Sequence, residues 1–345
     1  MPKGAGAPLR PTMRDVAGEA GVSKALVSIV FRGAAGASDE TRARVFAAAE
    51  RIGYRANRTA SLLALHRTRH LGVALHIANT FHGELVDVVQ AAADQAGYEL
   101  VLSIVTPRHD ETRAVETLLE YRCEGLILLG SLQSAEELAR LGDTIPLTLI
   151  GRSDAPGNVD VVRSADDVGL GLLVDHLVGL GHRRIAHVDG GRTAISTDRR
   201  RGYRAAMHRA GLTDRVLVLR GGLTEQDGWR AAEQLLQLPE PPTAVVAFND
   251  HCAFGVLGRV QRAGLRVPDD VSVTGYDDAW IARYASVDLT TVSQDAETQG
   301  AWAVQSAVAR LEGRPEGPRE RVVEPLLVVR GSTGPPGRPA GPVEC

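Results

Sequence analysis

Twelve basic side chains fall within the first 70 residues against five acidic ones, a local charge of +7; the whole chain carries −3, so the remainder carries −10. Guanidinium and ammonium groups gathered at one end suit phosphate oxygens, and a basic head on an acidic body is the electrostatic footprint of a nucleic-acid binder. Within the head, GVSKALVSIVFRG (residues 21–33) sets a cation, Lys24, beside Ala25, Leu26 and Ile29. Ser23 can cap a helix here and Gly33 can end it. Val27, Val30 and Phe31 fall on one stripe at helical spacing suited to a core, which leaves Ala25, Leu26 and Ile29 opposite, with Lys24 and Arg32 at the two ends.

Other chemistry finds no support in the spacing. Cys123, Cys252 and Cys345 form no Cys-x-x-Cys pair and no metal pattern with the ten histidines, so neither metal nor cofactor is expected. Cys123 and Cys252 read as buried thiols, and His176, His182 and His187 as ordinary hydrogen-bonding groups. The run GLGLLVDHLVGLG lacks the glycine spacing of a dinucleotide fingerprint, and no phosphate loop or placed nucleophile appears. An enzyme is not expected. No run approaches the eighteen or so apolar residues of a membrane span, and the N-terminal stretch has no apolar centre of the kind a secretion signal needs, which predicts a cytoplasmic protein.

These residues need elements to hold them. Thr12 with Asp15 three positions on is a capping-box pattern for a first helix that Gly21 stops; the Ser23 helix follows, and a third opens at Ser38 with Asp39 and Glu40 in its first turn. Two short helices across a tight Gly-containing turn make a helix-turn-helix, and Val16, Val27, Val30, Phe31, Val45 and Ile52 suffice for a small three-helix core. The basic segment RANRTASLLALHRTR is too short in its helical part to stand alone. From Leu71 on, apolar runs such as LGVALHI, YELVLSIV, EGLILLG and TAVVAF alternate with helical stretches, as in parallel sheets buried on both faces. The alternation passes twice, after which come a helix and the strand VEPLLVVR. The expected fold is an N-terminal all-α helix-turn-helix head on an α/β core of two doubly wound parallel-sheet lobes. Its parts are a flexible arm at 1–11, the head at 12–55, a hinge helix or linker at 56–69, a core at 70–330 and a disordered Pro/Gly-rich tail at 331–345. The lobes are expected at about 70–162 with 291–320, and about 163–290 with 321–330, with ligands where strand carboxyl ends face a cleft.

The stretch TMRDVAGEAGVSKALVSIVFRGAAGASDETRARVFAAAERIGYRANR strongly resembles the DNA-binding head of the lactose-repressor/galactose-repressor (LacI/GalR) family. GLGHRRIAHVDGG, DRRRGYRAAMHRAG, FNDHCAFGVLGRVQRAGLRVPDDVSVTGYDD and LTTVSQD match its body, and the resemblance spans about residues 12–330. It implies a periplasmic-binding-protein-like core and a homodimer or tetramer on palindromic operator DNA, controlled by a small effector; the absence of a leucine heptad after residue 330 favours the dimer. By position in the motif, Lys24, Ala25 and Ile29 face base edges in the major groove, with Leu26 and Ser28 beside the backbone. Lys24 can donate to guanine, while Ala25 and Ile29 can pack on a thymine methyl. Many members carry longer polar side chains there. Leu63 matches a leucine wedged between base steps in the minor groove; Arg55, Asn57 and Arg58 would face phosphates, and Thr12, Ser23 and Arg32 complete the DNA set.

For the effector, the resemblance implies Asn79, Phe81 and His82 at the cleft mouth, Arg199 as a clamp on ligand oxygens, Asn249 and Asp277 on hydroxyls, and Arg152 and Leu223 as lesser contacts. Gly151 stands where many members place an aspartate. A carboxylate, an amide and a guanidinium around an aromatic ring suit a polyol, so a repressor responding to a sugar is expected. The alternative is an activator or co-repressor-dependent regulator of the same architecture that responds to a nucleoside or an anionic metabolite.

Overall fold

The computed structural model describes residues 11–31, 35–54, 67–314 and 319–337. They divide between Thr68 and Arg69 into two compact units.

The head contains α1 (Met13–Ala20), α2 (Lys24–Phe31) and α3 (Asp39–Arg51). The Asp15 carboxylate accepts from the Thr12 amide at 2.7 Å and from its hydroxyl at 2.8 Å, and Gly21 ends α1 with φ 64°. Ser23 Oγ accepts from the Leu26 amide at 3.2 Å, and Ser38 Oγ from the Thr41 amide at 3.3 Å. Asp39 and Glu40 meet the positive end of α3. Val16, Val27, Val30 and Val45 are buried together, with Phe31 and Ile52 packed against them, so all six expected core residues meet.

In the body, β1 (His70–His76), α4 (Phe81–Gln95), β2 (Glu99–Val105), α5 (Glu111–Glu120), β3 (Gly125–Leu129), α6 (Ala135–Thr144), β4 (Leu147–Ile150) and β5 (Asp160–Ser164) build the first lobe. The chain then crosses over and forms α7 (Asp166–Gly179), β6 (Ile185–Asp189), α8 (Ala194–Arg209), β7 (Leu217–Arg220), α9 (Glu225–Leu236), β8 (Ala244–Ala247), α10 (Asp250–Arg262) and β9 (Ser272–Thr274). It continues through β10 (Thr291–Ser293), α11 (Ala296–Leu311), β11 (Glu320–Val323) and β12 (Leu326–Val328). The first sheet runs β11-β5-β4-β3-β1-β2 and the second β7-β6-β8-β9, both parallel. Strand order reverses between β1 and β3 and again between β6 and β8, and such switch points open a crevice at the carboxyl ends of the strands.

The lobe boundaries differ from expectation at three places. β5 continues to Ser164, two residues beyond the expected crossover. β10 pairs with β12 and buries Val292 in the second lobe's core, although 291–320 was expected in the first. VEPLLVVR, expected as one strand, is split: β11 lies beside β5 in the first lobe, and β12 begins after Pro325. Proline lacks the amide a ladder needs, and the chain changes lobes there.

The tail also departs from expectation at 331–337. Ser332 accepts from the Val273 amide and donates its hydroxyl to the Val273 carbonyl, and Gly334 exchanges bonds with Ser272, so this stretch is stitched along β9. Its backbone polar groups thereby find partners that the Pro/Gly-rich composition does not reveal.

α9 and α10 cross backbone against backbone. A Cβ on Gly228 would lie 1.9 Å from the Cys252 carbonyl oxygen, and one on Gly255 would lie 1.9 Å from that of Glu225. Gly228→Ala should therefore destabilise the body by about 1–3 kcal/mol in urea unfolding. Adding Gly255→Ala should cost less than the sum, since one separation of the helices relieves both contacts. An unchanged unfolding midpoint for Gly228→Ala would refute the close crossing.

Candidate functional site

The carboxyl ends of the strands supply the site. Asn79, Phe81 and His82 follow β1, Gly151 and Arg152 follow β4, Arg199 rides on α8 after β6, and Leu223 follows β7. Asn249 follows β8 and Asp277 follows β9. All eight candidate effector residues line a single cavity of about 90 Å³ between the lobes.

Arg199, 3% exposed, is the electrostatic centre. Its Nε donates to Asp166 at 2.8 Å, Nη1 donates to the Phe248 carbonyl at 2.5 Å, and Nη2 lies 3.6 Å from Asp277. The guanidinium stacks over the Tyr276 ring at 3.7 Å and the Phe248 ring at 4.5 Å. Burial raises the Asp166 carboxyl against the pull of Arg199. Burial also lifts Asp277, with Arg199 opposing, to about 7. Neighbouring Asp250, fully buried, is pushed well above the ordinary range by burial and then by Asp277. One guanidinium thus faces two buried carboxyls, with Asp250 beside them, and burial pushes all three upward.

The remaining candidates differ in freedom. Arg152 lines the wall, but its Nε donates to Asp154 at 2.8 Å and its Nη1 to the Gln133 carbonyl at 2.7 Å. It braces the loops after β3 and β4. Asn249 caps α10, accepting from the Cys252 amide at 2.8 Å while its Nδ2 donates to the Leu223 carbonyl at 3.2 Å. His82 accepts the His76 amide on Nδ1 at 3.2 Å, and burial lowers its pKa to about 3. It is therefore a neutral imidazole with its proton on Nε2.

Residue spacing gave no sign of His76, Gln294 and Gln299 in this wall. Gln294 Nε2 donates to Asp277 at 2.7 Å, and Gln299 Nε2 to the Gln294 carbonyl at 2.7 Å, which fixes Asp277 from the crossover segment. Gln294 stands in the LTTVSQD motif; for Gln299, buried with an unbonded Oε1, no sequence signal exists.

In the head, Thr12, Lys24 and Ala25 are exposed, and Leu26, Ser28 and Ile29 are half-buried on α2. Ser23 is exposed and caps that helix. Arg32, Arg55, Asn57, Arg58 and Leu63 lie outside the described residues, as does Cys345. Cys123 and Cys252 are buried, their thiols pushed up to about 11 and about 12 by that burial. His176 bonds Thr333, His182 bonds Thr243 and Gly334, and His187 bonds the Val246 carbonyl. Among the described residues no cluster of His, Cys, Asp and Glu could hold a metal, and no helix is long and apolar enough to cross a membrane.

The family described as "Bacterial regulatory proteins, lacI family" matches residues 12–57, and a periplasmic binding protein-like domain matches 174–333. The chain is similar to the HTH-type transcriptional regulator DegA of Bacillus subtilis (strain 168), with 32% identity covering 95% of this chain and 99% of that one. The ribose operon repressor of Escherichia coli (strain K12) is 34% identical, covering 93% and 99%. Among solved structures, a LacI transcriptional regulator from a Rhodococcus species has 45% identity and a TM-score of 0.75, covering 78% of this chain and 100% of that one. The Lac repressor dimer bound to operator and the anti-inducer ONPF has 28% identity and a TM-score of 0.83, covering 94% and 100%.

Proposed function

Because this chain belongs to the lacI family of bacterial regulatory proteins, we propose that it is a repressor whose operator affinity is set by a small, neutral, hydroxyl-rich effector held in the cleft. It works in the cytoplasm as a homodimer on a palindromic operator. Lys24, Ala25 and Ile29 meet the bases, Leu26 and Ser28 lie beside the backbone, and the hinge leucine Leu63 enters the minor groove.

The observation that carries the effector reading is the state of the cavity's cations. Among the described residues lining it, Arg152 and Arg199 already face carboxylates, and His82 is held neutral. A phosphate or carboxylate would enter beside Asp277 with no unpaired cation to receive it. Hydroxyls can donate to Asp277 and accept from the imidazole Nε2–H, while Phe81 supplies an apolar wall. That favours a monosaccharide such as the ribose bound in a similar LacI-family structure from Enterococcus faecium.

A thermal unfolding panel of neutral sugars, nucleosides, sugar phosphates and small acids tests this. A ligand at about a hundred times its Kd should add about 2.7 kcal/mol of stability. A shift with a neutral sugar is expected; a shift with anions alone overturns the neutral-polyol reading, and one with nucleosides alone favours the alternative that the rings of Phe81 and Phe248 allow. For DNA, duplexes selected from a random pool should be palindromic. Lys24→Ala should weaken the selected duplex by about 1–3 kcal/mol per half-site and relax one base position. Unchanged affinity and base preference would remove Lys24 from the interface.

A further inference from the structure

The first lobe holds a second cavity, of about 590 Å³, at the carboxyl ends of β1, β2 and β3. Ile77 follows β1, Pro107 follows β2 and Leu132 follows β3, while α5 and α6 add Glu111 and Glu137 from their first turns. Among the described residues it shares only His76 and Leu132 with the effector cavity. Its charges are of one sign. Asp110, Glu111 and Glu137 line it, and the described lining residues include no lysine or arginine. Burial holds the His76 imidazole below its ordinary range, with Glu111 opposing, so the ring brings no charge at neutral pH.

Two of the three carboxylates have local work. Asp110 caps α5, accepting the Arg113 amide at 2.9 Å, and Glu137 accepts from the Ser134 amide at 2.8 Å and hydroxyl at 2.7 Å. Glu111 differs. It is 8% exposed, and its Oε2 accepts the Leu132 amide at 2.8 Å while its Oε1 has no hydrogen-bond partner. His76 Nε2, in the same wall, has none either. A buried carboxylate oxygen without a donor is costly, so this one is poised to accept. The loop it holds is fixed from the other side, because Arg152 donates to the Gln133 carbonyl at 2.7 Å and to the Ser131 carbonyl at 3.3 Å. Beside it, Ile77 and Leu132 leave apolar surface uncovered, at 61% and 55% exposure.

We propose that this cavity is a second ligand site, which takes a small aliphatic primary amine in its ammonium form. The ammonium donates to Glu111 Oε1, the carbon chain lies on Ile77 and Leu132, and the exposed Asp110 and Glu137 draw the cation in. An ammonium has three donors and no acceptor, the complement of a wall that offers an unbonded carboxylate oxygen and no cation. An anion is repelled there, and a neutral alcohol gives Glu111 a single, weaker donor. The amine site stands apart from the effector reading, since it rests on residues of the first lobe alone.

Calorimetric titration of the full chain with n-butylammonium chloride, n-butanol and sodium butyrate tests this, with no sugar or DNA added. The ammonium should bind saturably, and the alcohol and the butyrate roughly tenfold more weakly or not at all. Glu111→Gln keeps an acceptor for the Leu132 amide but removes the charge, and should weaken the ammonium roughly tenfold. Asp110→Asn, whose side chain still caps α5, should weaken it about two- to threefold. With the ammonium bound, hydrogen exchange should slow at 105–112 and stay unchanged at 276–278. Absence of saturable binding, equal binding of the alcohol, or wild-type affinity in Glu111→Gln would overturn the proposal. So would protection at 276–278 alone, which would seat the amine beside Asp277 in the effector cavity. A sugar panel without a response would remove the effector reading and leave this titration untouched.

Discussion

Replacing Arg199 with methionine should destabilise the body by about 3–5 kcal/mol, the range found when one partner of a buried ion pair is removed. Methionine fills a similar volume but leaves Asp166 without its 2.8 Å partner and the Phe248 carbonyl without its donor. Arg199→Lys should recover little. An ammonium is a point charge and cannot bond Asp166 and the carbonyl while lying flat on the Tyr276 ring, as the planar guanidinium does. Urea unfolding at neutral pH reads the effect, and a loss under about 1 kcal/mol would mean that Asp166 has another source of compensation. Specific DNA binding measured at temperatures where the variant stays folded should persist while the response to effector is lost.

The second large effect is one of pH. Asp277 is raised on folding from 3.8 to about 7, so the native state binds a proton that the unfolded chain has already released over that interval. A group raised in this way contributes stability that is present below its unfolded value and is lost as pH rises through its folded value. The wild-type protein should therefore lose up to about 4 kcal/mol between about pH 4 and about pH 7 relative to Asp277→Asn, whose amide cannot ionise. Asp277 also raises the neighbouring Asp250 carboxyl, so the difference between the two proteins reports the coupled pair rather than Asp277 alone. Unfolding free energies compared across that window decide the matter; parallel pH profiles would show that Asp277 is ionised in the folded state. Ligand hydroxyls that donate to the Asp277 carboxylate would favour its ionised form, so effector affinity should rise through the same interval.

What the sequence disclosed and what it concealed follow from the range of the interactions involved. The head was legible because its determinants are local: Asp15 reaches back three residues, Ser23 caps three residues on, and the valines of α1 and α2 recur at helical spacing. Most strands were legible as apolar runs. β5 was not, because Asp160 and Arg163 interrupt its pattern; Asp160 is tolerated at 4% exposure only because Arg310, far along the chain, pairs with both of its oxygens at 2.7 Å. The eight effector candidates came through family resemblance, and the fold brings them to one cavity. Resemblance did not reveal that carbonyls from another loop occupy Arg152, or that Gln294 and Gln299 fix Asp277 from the crossover. Those facts belong to chain paths that no spacing records.

The interleaving of the lobes has a consequence for how the chain is made. Strand β5 is complete at Ser164, but β11, the neighbour that covers its edge, begins only at Glu320. At a synthesis rate of roughly 5–20 residues per second, about 8–30 s separate the two on the ribosome. Throughout that interval the nascent first lobe presents an unpaired parallel edge, and for most of it α11 has not yet arrived to cover Leu71, Ile127 and Val162. The second lobe waits for 331–337 to cover β9. Both lobes therefore wait for segments near the end of the chain, so neither has its sheet edge covered when its own run of strands has been made.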